Sequence, residues 1–481
     1  MAQRDTRMQR VAREDVVLFI NACFACTHQR EFYSDAQGQA VSIDFLHRYI
    51  LGNYRRLYAR TLAAGINHFN KAKIIARLLE TGRDTPEAFR HEENALIRAT
   101  LKRLPPQRVF RMFTALRRQR VNNRRSRAVI RDYLKSRRDP AFDALKYRNK
   151  INAAAAHAHL DLPGELGDFL FAWSRKGRFE TPLFESFRKA HYSQKAVYEL
   201  PYTVAEGLAA KHGIARDTFL ARIEPRLTKQ ERLRLQRTAN MKAGVDIEVD
   251  LDRVALTKLA LFILSLDAEE RRQREREFEA ALKASAHRAL GKAPAQLGKV
   301  AAVLDRSGSS AGSREKRRRP LAVALAASAL LRQASSEYRG FWTADCEREL
   351  FVTPFGQTNL AGPVLDALDW GAELIVIVSD GFENDPPGAV SQLVDAFHRD
   401  LDPQRKVSVI HANPVFDAEN HVPRGLGPGI PTVGLRDAED LPTMLGFARF
   451  VDGAAPLAEL EGYLGGRVGA LLAESEEEGA P

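Results

Sequence analysis

The chain has 481 residues, of which 44% are hydrophobic, so its length predicts two or more domains with buried cores. Three cysteines cannot form a disulfide framework. No apolar run approaches the ~20 residues that span a membrane, and the N-terminus lacks the apolar stretch of a signal peptide. We therefore expect a cytoplasmic protein without a membrane partner. The net charge is +12, but residues 1–300 hold 57 Lys and Arg against 34 Asp and Glu, whereas residues 301–481 hold 16 against 27. This asymmetry predicts a domain boundary near residue 295 and a polyanionic partner for the basic part.

The basic part, residues 1–290, carries the pattern of short amphipathic helices. Apolar residues recur every three or four positions in segments such as 16–23 and 109–116. Glycine and proline breaks separate these segments, for example at Gly65, at Pro105 and at Pro140. The pattern favours an all-α helical-repeat region of HEAT-like character over one compact bundle.

Two cysteines near the N-terminus have the spacing of half a zinc site. Cys23 and Cys26 form a Cys-x-x-Cys, and His28 follows closely. The only other cysteine, Cys346, lies far away in the sequence, and free cysteines on an apolar helix usually pack in a core. Core packing is therefore the favoured interpretation, with zinc as the alternative.

Positive charge is densest between residues 101 and 150, which contain 17 Lys and Arg but only 3 acidic residues. Like charges this close repel one another unless a polyanion such as the RNA backbone neutralises them. Tyr133 and Tyr147 are candidates to stack on exposed bases. The alternatives are a solvated basic face, or docking on an acidic protein surface. The predicted RNA-binding residues are Arg117, Arg118, Arg120, Arg124, Arg125, Arg127, Arg131, Lys135, Arg137 and Arg138.

The last part of the chain reads as a doubly wound α/β domain over residues 299–470. A Pro- and Gly-containing linker at 291–298 precedes it, and an acidic, solvated tail at 471–481 follows. Runs of buried-strand character predict strands near 299–305, 338–345, 348–352, 373–379 and 405–411.

Five oxygen-bearing residues fall after predicted strand ends or in a neighbouring loop of this domain. They are Asp305, Ser307 and Ser309 in an Asp-x-Ser-x-Ser motif, then Thr358 and Asp380. Carboxylates and hydroxyls suit Mg²⁺, with Mn²⁺ or Ca²⁺ as alternatives, and they leave room for an outside ligand. The carboxyl ends of parallel strands meet at one edge of a sheet, so these residues are expected to converge. The cations Arg314, Lys316, Arg317, Arg318 and Arg319 either guide an acidic ligand towards the metal or cap the next helix.

This five-residue pattern resembles the metal-ion-dependent adhesion site of a von Willebrand factor A domain, over roughly residues 297–475. A basic helical region joined to such a domain resembles the TROVE-module proteins, the Ro autoantigen and its bacterial relatives. The likeness is carried by residues 287–305 and by 444–453 with 457–464. The resemblance implies a ring of helical repeats that binds the ends of small non-coding or defective RNAs, closed by the A domain. The Arg306 and Ser310 positions depart from the family's metal loop.

The sequence therefore predicts an RNA-binding protein that scaffolds or surveys small non-coding or misfolded RNA through single-stranded ends. No DNA specificity is expected, and an acidic protein ligand is expected at the metal. No nucleophile, general base or second acidic cluster accompanies the site, which predicts a protein that is not an enzyme. The alternative from another class is an adaptor for an AAA+ ATPase in a stress or maturation complex; a hydrolase acting on RNA is a third possibility.

Overall fold

A computed structural model describes residues 5–228, 230–235, 249–291, 297–453 and 455–477. The chain divides into two compact units: the first combines Met1–Lys71 with Leu251–Pro481, and the second is Ala72–Asp250. This division differs from the predicted basic region 1–290. Residues 1–71 and 251–290 belong to the same unit as the α/β domain, because helices from both segments pack around its sheet.

The centre of the first unit is a five-stranded sheet in the order β2-β1-β3-β4-β5, with every neighbouring pair parallel. β1 has β2 on one side and β3 on the other, so the connections leave it in opposite directions and open a crevice at its carboxyl end. The predicted doubly wound α/β fold is therefore confirmed. The strands are β1 (Leu297–Leu304), β2 (Ser335–Trp342), β3 (Leu374–Val378), β4 (Ser408–Asn413) and β5 (Thr432–Gly434).

Several details differ from the sequence prediction. The predicted strand at 348–352 is a 3-10 turn, Glu349–Phe351, whose first side chain accepts hydrogen bonds from Ser328 on the neighbouring helix. β5 was not predicted, because three residues are too few to carry an alternating pattern. Of the predicted linker 291–298, Leu297 and Gly298 belong to β1, and residues 292–296 lie outside the described residues. The predicted acidic tail continues the helix Leu457–Glu477 through residues 471–477, and 478–481 lie outside the described residues.

Helices cover both faces of the sheet. On one face, Val364 and Val390 from two helices pack with Val303 and Ile377 of the strands. On the other face lies Arg319–Ala334, a helix buried along most of its length, with Leu256–Ser265 and Glu275–Leu290 packed against it. The remaining helices of this unit are Arg7–Ala25, Ala36–Asn53, Arg55–Arg60, Ala268–Gln273, Ala361–Asp369, Ala389–Asp400, Leu441–Val451 and Leu457–Glu477.

The helix Arg7–Ala25 covers the β5 edge of the sheet. Its Asn21 side chain accepts a hydrogen bond from the Gly434 amide at 3.1 Å and donates one to the Thr432 carbonyl at 3.2 Å. Only glycine fits at 434, since a Cβ would lie 2.4 Å from the Asn21 carbonyl oxygen. The contact satisfies edge groups that would otherwise be open to strand pairing, and it explains why the first residues of the chain belong to this unit.

The second unit is helical throughout its described residues. Its helices are short, and several end at the predicted proline and glycine breaks, although Pro106–Arg118 and Pro182–Ala190 end where no such break was predicted. The prediction of a helical region in addition to an α/β domain is confirmed. No helix among the described residues is long and apolar enough to cross a membrane. The helices are His68–Glu80, which begins in the first unit, then Glu87–Arg103, Pro106–Arg118, Arg124–Lys135, Pro140–His157, Glu165–Ala172, Pro182–Ala190, Gln194–Val197, Tyr202–Lys211 and Arg216–Ile223.

Candidate functional site

The five predicted metal-site residues are all buried at the carboxyl end of the sheet. Asp305 directly follows β1, and its amide donates to the Val378 carbonyl at the end of β3. Asp380 lies two residues beyond that strand end. Both carboxylates are therefore held at the crevice where the strand connections diverge, as the sequence predicted.

Four of the five side chains are linked directly. Asp305 accepts hydrogen bonds from the Ser307 amide at 2.8 Å and from the Ser379 hydroxyl at 3.0 Å. The hydroxyls of Ser307 and Ser309 lie 3.2 Å apart, and Ser309 also comes within hydrogen-bonding reach of Asp380. The Asp-x-Ser-x-Ser loop thus folds back on itself, with its side-chain oxygens close together near the ends of β1 and β3.

Thr358 joins the site through its loop. Gly308 of the metal loop donates its amide to the Gly356 carbonyl at 3.0 Å, which ties the two loops together. On the other side, the Thr358 amide donates to the Asn384 side chain at 2.8 Å. The Thr358 side chain is buried, and these main-chain hydrogen bonds bring its loop beside the metal loop.

The charges of the site are unbalanced in a way that a cation would correct. Burial raises the pKa of Asp305, and burial together with the negative charge of Asp305 raises the pKa of Asp380 to about 6. Two buried carboxylates that repel one another are stabilised when a divalent cation lies between them. The surrounding donors are hydroxyl oxygens, which suit Mg²⁺ and related hard cations. The residues therefore fit the predicted ion.

Within the described part of the chain, no three or more His, Cys, Asp or Glu side chains are grouped so that they could hold a metal ion. The site above has only two carboxylates, so its remaining ligands would be hydroxyls and water. Cys23 and Cys26 are buried at the C-terminal end of the first helix, and the Cys26 thiol hydrogen-bonds to the Gln39 side chain. Core packing, rather than zinc, accounts for this pair.

Three of the five cations after the metal loop have structural roles. Lys316 is buried and paired with Glu31, and Arg319 pairs with Asp437 at 2.5 Å. Arg318 donates to the Leu264 carbonyl. Among these five cations, Arg314 and Arg317 are exposed, whereas the other three fasten neighbouring segments to the domain.

Sequence reasoning missed two residues beside the metal loop. Tyr33, in the loop before the second helix, stacks on Phe382 with ring centroids 3.9 Å apart, and its hydroxyl comes within reach of Ser309. The Arg424 guanidinium lies 4.0 Å from the centre of the same Phe382 ring. Tyr33 carries no local signal. Arg424 lies in the loop after β4. Loops at the carboxyl ends of the strands border the ligand site in this type of sheet, so its position in the sequence was a usable signal.

The predicted RNA-binding residues lie on or near the helices Pro106–Arg118 and Arg124–Lys135 of the second unit. Most are exposed, but Arg125 pairs with buried Glu93 at 2.6 Å, and Arg137 pairs with buried Asp143. Those two arginines fasten neighbouring helices. Eight remain exposed, of which Arg131 also contacts Asp132: Arg117, Arg118, Arg120, Arg124, Arg127, Arg131, Lys135 and Arg138.

Of the two tyrosines predicted to stack on bases, Tyr133 belongs to the packed interior and Tyr147 is half-buried. Tyr133 is 5% exposed and makes edge-to-face contacts with Phe110 and Phe113. Tyr147 packs against Phe110 at 5.0 Å. The stacking prediction is therefore wrong for Tyr133, whose ring has no face open to a base.

Comparisons with known proteins return few matches. No family model matches the chain, and no curated protein matches it. Among solved structures, the chain is similar to the RO (RSR) protein of Deinococcus radiodurans, with 13% identity and a TM-score of 0.41 over 95% of this chain and 96% of that one. At this identity and score, the likeness carries no inference about the function of this chain.

Proposed function

We propose that the chain is an RNA-binding protein whose helical unit contacts the RNA backbone and whose α/β domain holds a divalent cation as a docking point. The observation that supports RNA binding is the exposed cationic surface at residues 117–138. Eight of the ten predicted residues are exposed there, and the other two, Arg125 and Arg137, form ion pairs with buried carboxylates. Like charges this close repel one another, and the phosphates of RNA would supply the counter-charge.

The RNA proposal extends to small non-coding RNAs with single-stranded ends. Side chains cannot read the deep, narrow groove of duplex RNA, so a backbone clamp favours ends and loops. The contacts made by Arg124 and Arg127 are expected to be with phosphates, and their loss should weaken binding of different RNA sequences alike.

Filter binding of a single-stranded RNA at three salt concentrations tests this proposal. The double variant Arg124→Gln, Arg127→Gln should bind more weakly, and its log–log salt slope should be flatter by roughly 0.7 per lost contact. Arg399→Gln, an exposed arginine of the first unit, is the matched control. Unchanged affinity and slope in the double variant would remove RNA from this surface and favour the protein-adaptor alternative.

The metal proposal rests on the two buried carboxylates with raised pKa values, surrounded by serine hydroxyls. Asp305 and Asp380 would hold Mg²⁺ with Ser307, Ser309 and Thr358, either directly or through bound water. The cation would supply a positive centre with an open position for an acidic group of a partner protein. The protein would act by binding, without hydrolase activity of its own.

Calorimetric titration with Mn²⁺ or Mg²⁺ tests the metal. Asp305→Ala should abolish binding, because it removes one of only two carboxylates, while circular dichroism should show that the fold is retained. Asp345→Ala, an exposed carboxylate on the loop after β2, is the control and should bind as the unaltered chain does. Equal cation affinity in the two variants would refute the assignment, and Asp305-dependent turnover of RNA would refute the proposal of a binding protein.

A further inference from the structure

A cluster of rings and cations in the second unit contains two buried nitrogen atoms without hydrogen-bond partners. The Arg148 guanidinium lies 5.0 Å from the centre of the Trp173 ring and 5.4 Å from that of Phe187. The His191 ring packs on Trp173, with centroids 4.6 Å apart. Arg148 Nη1 and His191 Nε2 are buried and have no partner among the described residues. Buried nitrogen atoms are nearly always hydrogen-bonded in folded proteins, so this pair indicates a place where a bound group completes their hydrogen bonding.

Both of these nitrogen atoms are donors. An arginine side chain carries hydrogens on every nitrogen and accepts no hydrogen bond. The Lys211 ammonium lies 3.4 Å from His191 Nδ1. Because an ammonium can only donate, Nδ1 accepts, and the proton of the neutral His191 ring is on Nε2. The group that pairs with both atoms is therefore an acceptor.

The charges around the cluster are positive. Burial lowers the pKa of Arg148, and no carboxylate of the described residues pairs with it. The pKa of His191 is lowered first by burial and then by the positive charges of Lys211, Arg148 and His212. Hydrogen bonds from charged donors are strongest when the acceptor is ionised, so the acceptor that this cluster favours is an anion.

Aromatic side chains that are open to solvent flank the same cluster. Among the described residues of the second unit, the exposed large hydrophobic side chains are Phe171, which is 49% exposed, and Tyr192, which is 81% exposed. Phe171 precedes Trp173 by two residues, and Tyr192 directly follows His191. Exposed rings beside cations suit a single-stranded nucleic acid, because a base stacks on the ring while its phosphate pairs with the cation.

One helix, Pro140–His157, connects this cluster with the cationic surface at residues 117–138. It packs against the two helices that carry that surface and against Pro182–Ala190, which His191 follows. It also supplies Arg148 itself. The cluster and the cationic surface therefore belong to one packed group of helices in the second unit.

We propose that this cluster is a second contact for single-stranded RNA. The exposed ring of Tyr192 stacks on an unpaired base, and the N–H groups of Arg148, His191 and Lys211 bind the phosphate beside it. Trp173 covers the two buried donors from a three-residue 3-10 turn and is partly exposed, so its ring moves aside as the phosphate binds. The inference rests on the proposed RNA binding and adds the residues that stack on bases.

The fluorescence of Trp173 in the full chain tests the inference, in a background of Trp342→Phe and Trp370→Phe that leaves it as the only tryptophan. Single-stranded oligoadenylate should change its emission as it binds. Tyr192→Ala should weaken binding about tenfold without changing the salt slope, since stacking releases no counterion. Lys211→Gln should weaken binding and also flatten the log–log salt slope by roughly 0.7.

Two variants of the first unit are the matched controls. Phe45→Ala removes an exposed ring and Lys258→Gln an exposed lysine, and both should bind oligoadenylate as the unaltered chain does. Tyr192 and Lys211 are exposed as well, so their variants are expected to keep the fold, which circular dichroism checks.

The possible results separate this inference from the proposed function. Absence of RNA binding by the unaltered chain would overturn both. Binding that weakens in the double variant of Arg124 and Arg127 but not in Tyr192→Ala or Lys211→Gln would overturn this inference alone, as would an unchanged Trp173 emission at saturating oligoadenylate. A stronger response to inorganic phosphate than to oligoadenylate would overturn the choice of RNA as the ligand of this cluster.

Discussion

The buried ion pair between Glu31 and Lys316 offers a sharp test of how the N-terminal segment is attached. The two side chains are 3% and 5% exposed, so removal of the lysine charge leaves a carboxylate without water or a partner. Breaking such a pair costs about 3–5 kcal/mol of the free energy of unfolding, whereas replacing both partners with apolar groups is often close to neutral. Lys316→Met should therefore lose about 3–5 kcal/mol, and Glu31→Met added to it should restore most of the loss.

Urea unfolding followed by tryptophan fluorescence measures this effect. Trp173→Phe as a common background leaves Trp342 and Trp370, which both report on the first unit. Arg314→Met, an exposed cation in the same loop, is the matched control and should change the free energy of unfolding by less than about 0.5 kcal/mol.

The pH dependence of the loss adds a second condition. Burial raises the pKa of Glu31 even against the lowering effect of Lys316, so the folded state binds the proton more readily than the unfolded state. A raised carboxylate pKa contributes stability that is present at low pH and is lost as the pH rises through it. The loss in Lys316→Met should thus be smaller at pH 5 than at pH 8. If Lys316→Met lowers the free energy of unfolding by less than about 1 kcal/mol at pH 8, or by equal amounts at pH 5 and pH 8, then Lys316 does not stabilise a buried, charged Glu31.

Two further predictions concern other buried groups. Arg125→Gln should lower the free energy of unfolding of the second unit by about 2–4 kcal/mol, because it leaves the Glu93 carboxylate, which is 3% exposed, without its charge partner. Arg124→Gln is the control and should change this free energy by less than about 0.5 kcal/mol. Similar losses for the two variants in urea unfolding would contradict a structural role for Arg125 and an exposed position for Arg124. Burial lowers the pKa of His411 to about 4. Between pH 6.5 and 4 the unfolded state binds a proton that folded His411 does not, so this residue makes stability fall as the pH falls. In His411→Gln, the free energy of unfolding should depend less steeply on pH between 6.5 and 4 than in the unaltered chain. The same pH dependence in both proteins would show that His411 does not contribute to it.

Local patterns in the sequence were sufficient for the elements of the site. The Asp-x-Ser-x-Ser motif after an apolar run, and Asp380 after another, predicted two carboxylates at neighbouring strand ends, and both lie there. This works because strand burial and strand-end position depend on short stretches of sequence. The same holds for several breaks of the helical second unit, which fall at prolines and glycines, residues whose effect on the backbone is local.

Contacts between distant segments were decided only by the tertiary structure. Nothing near Tyr33 in the sequence indicates that it stacks on Phe382, some 350 positions later, and nothing distinguishes Arg125, which pairs with Glu93, from exposed Arg124 beside it. The basic composition of residues 1–290 predicted one body, yet 1–71 and 251–290 pack around the sheet. Composition shows how much charge a segment carries. Whether an apolar helix face is buried against a distant sheet depends on which surfaces meet in three dimensions, and no local sequence pattern contains that information.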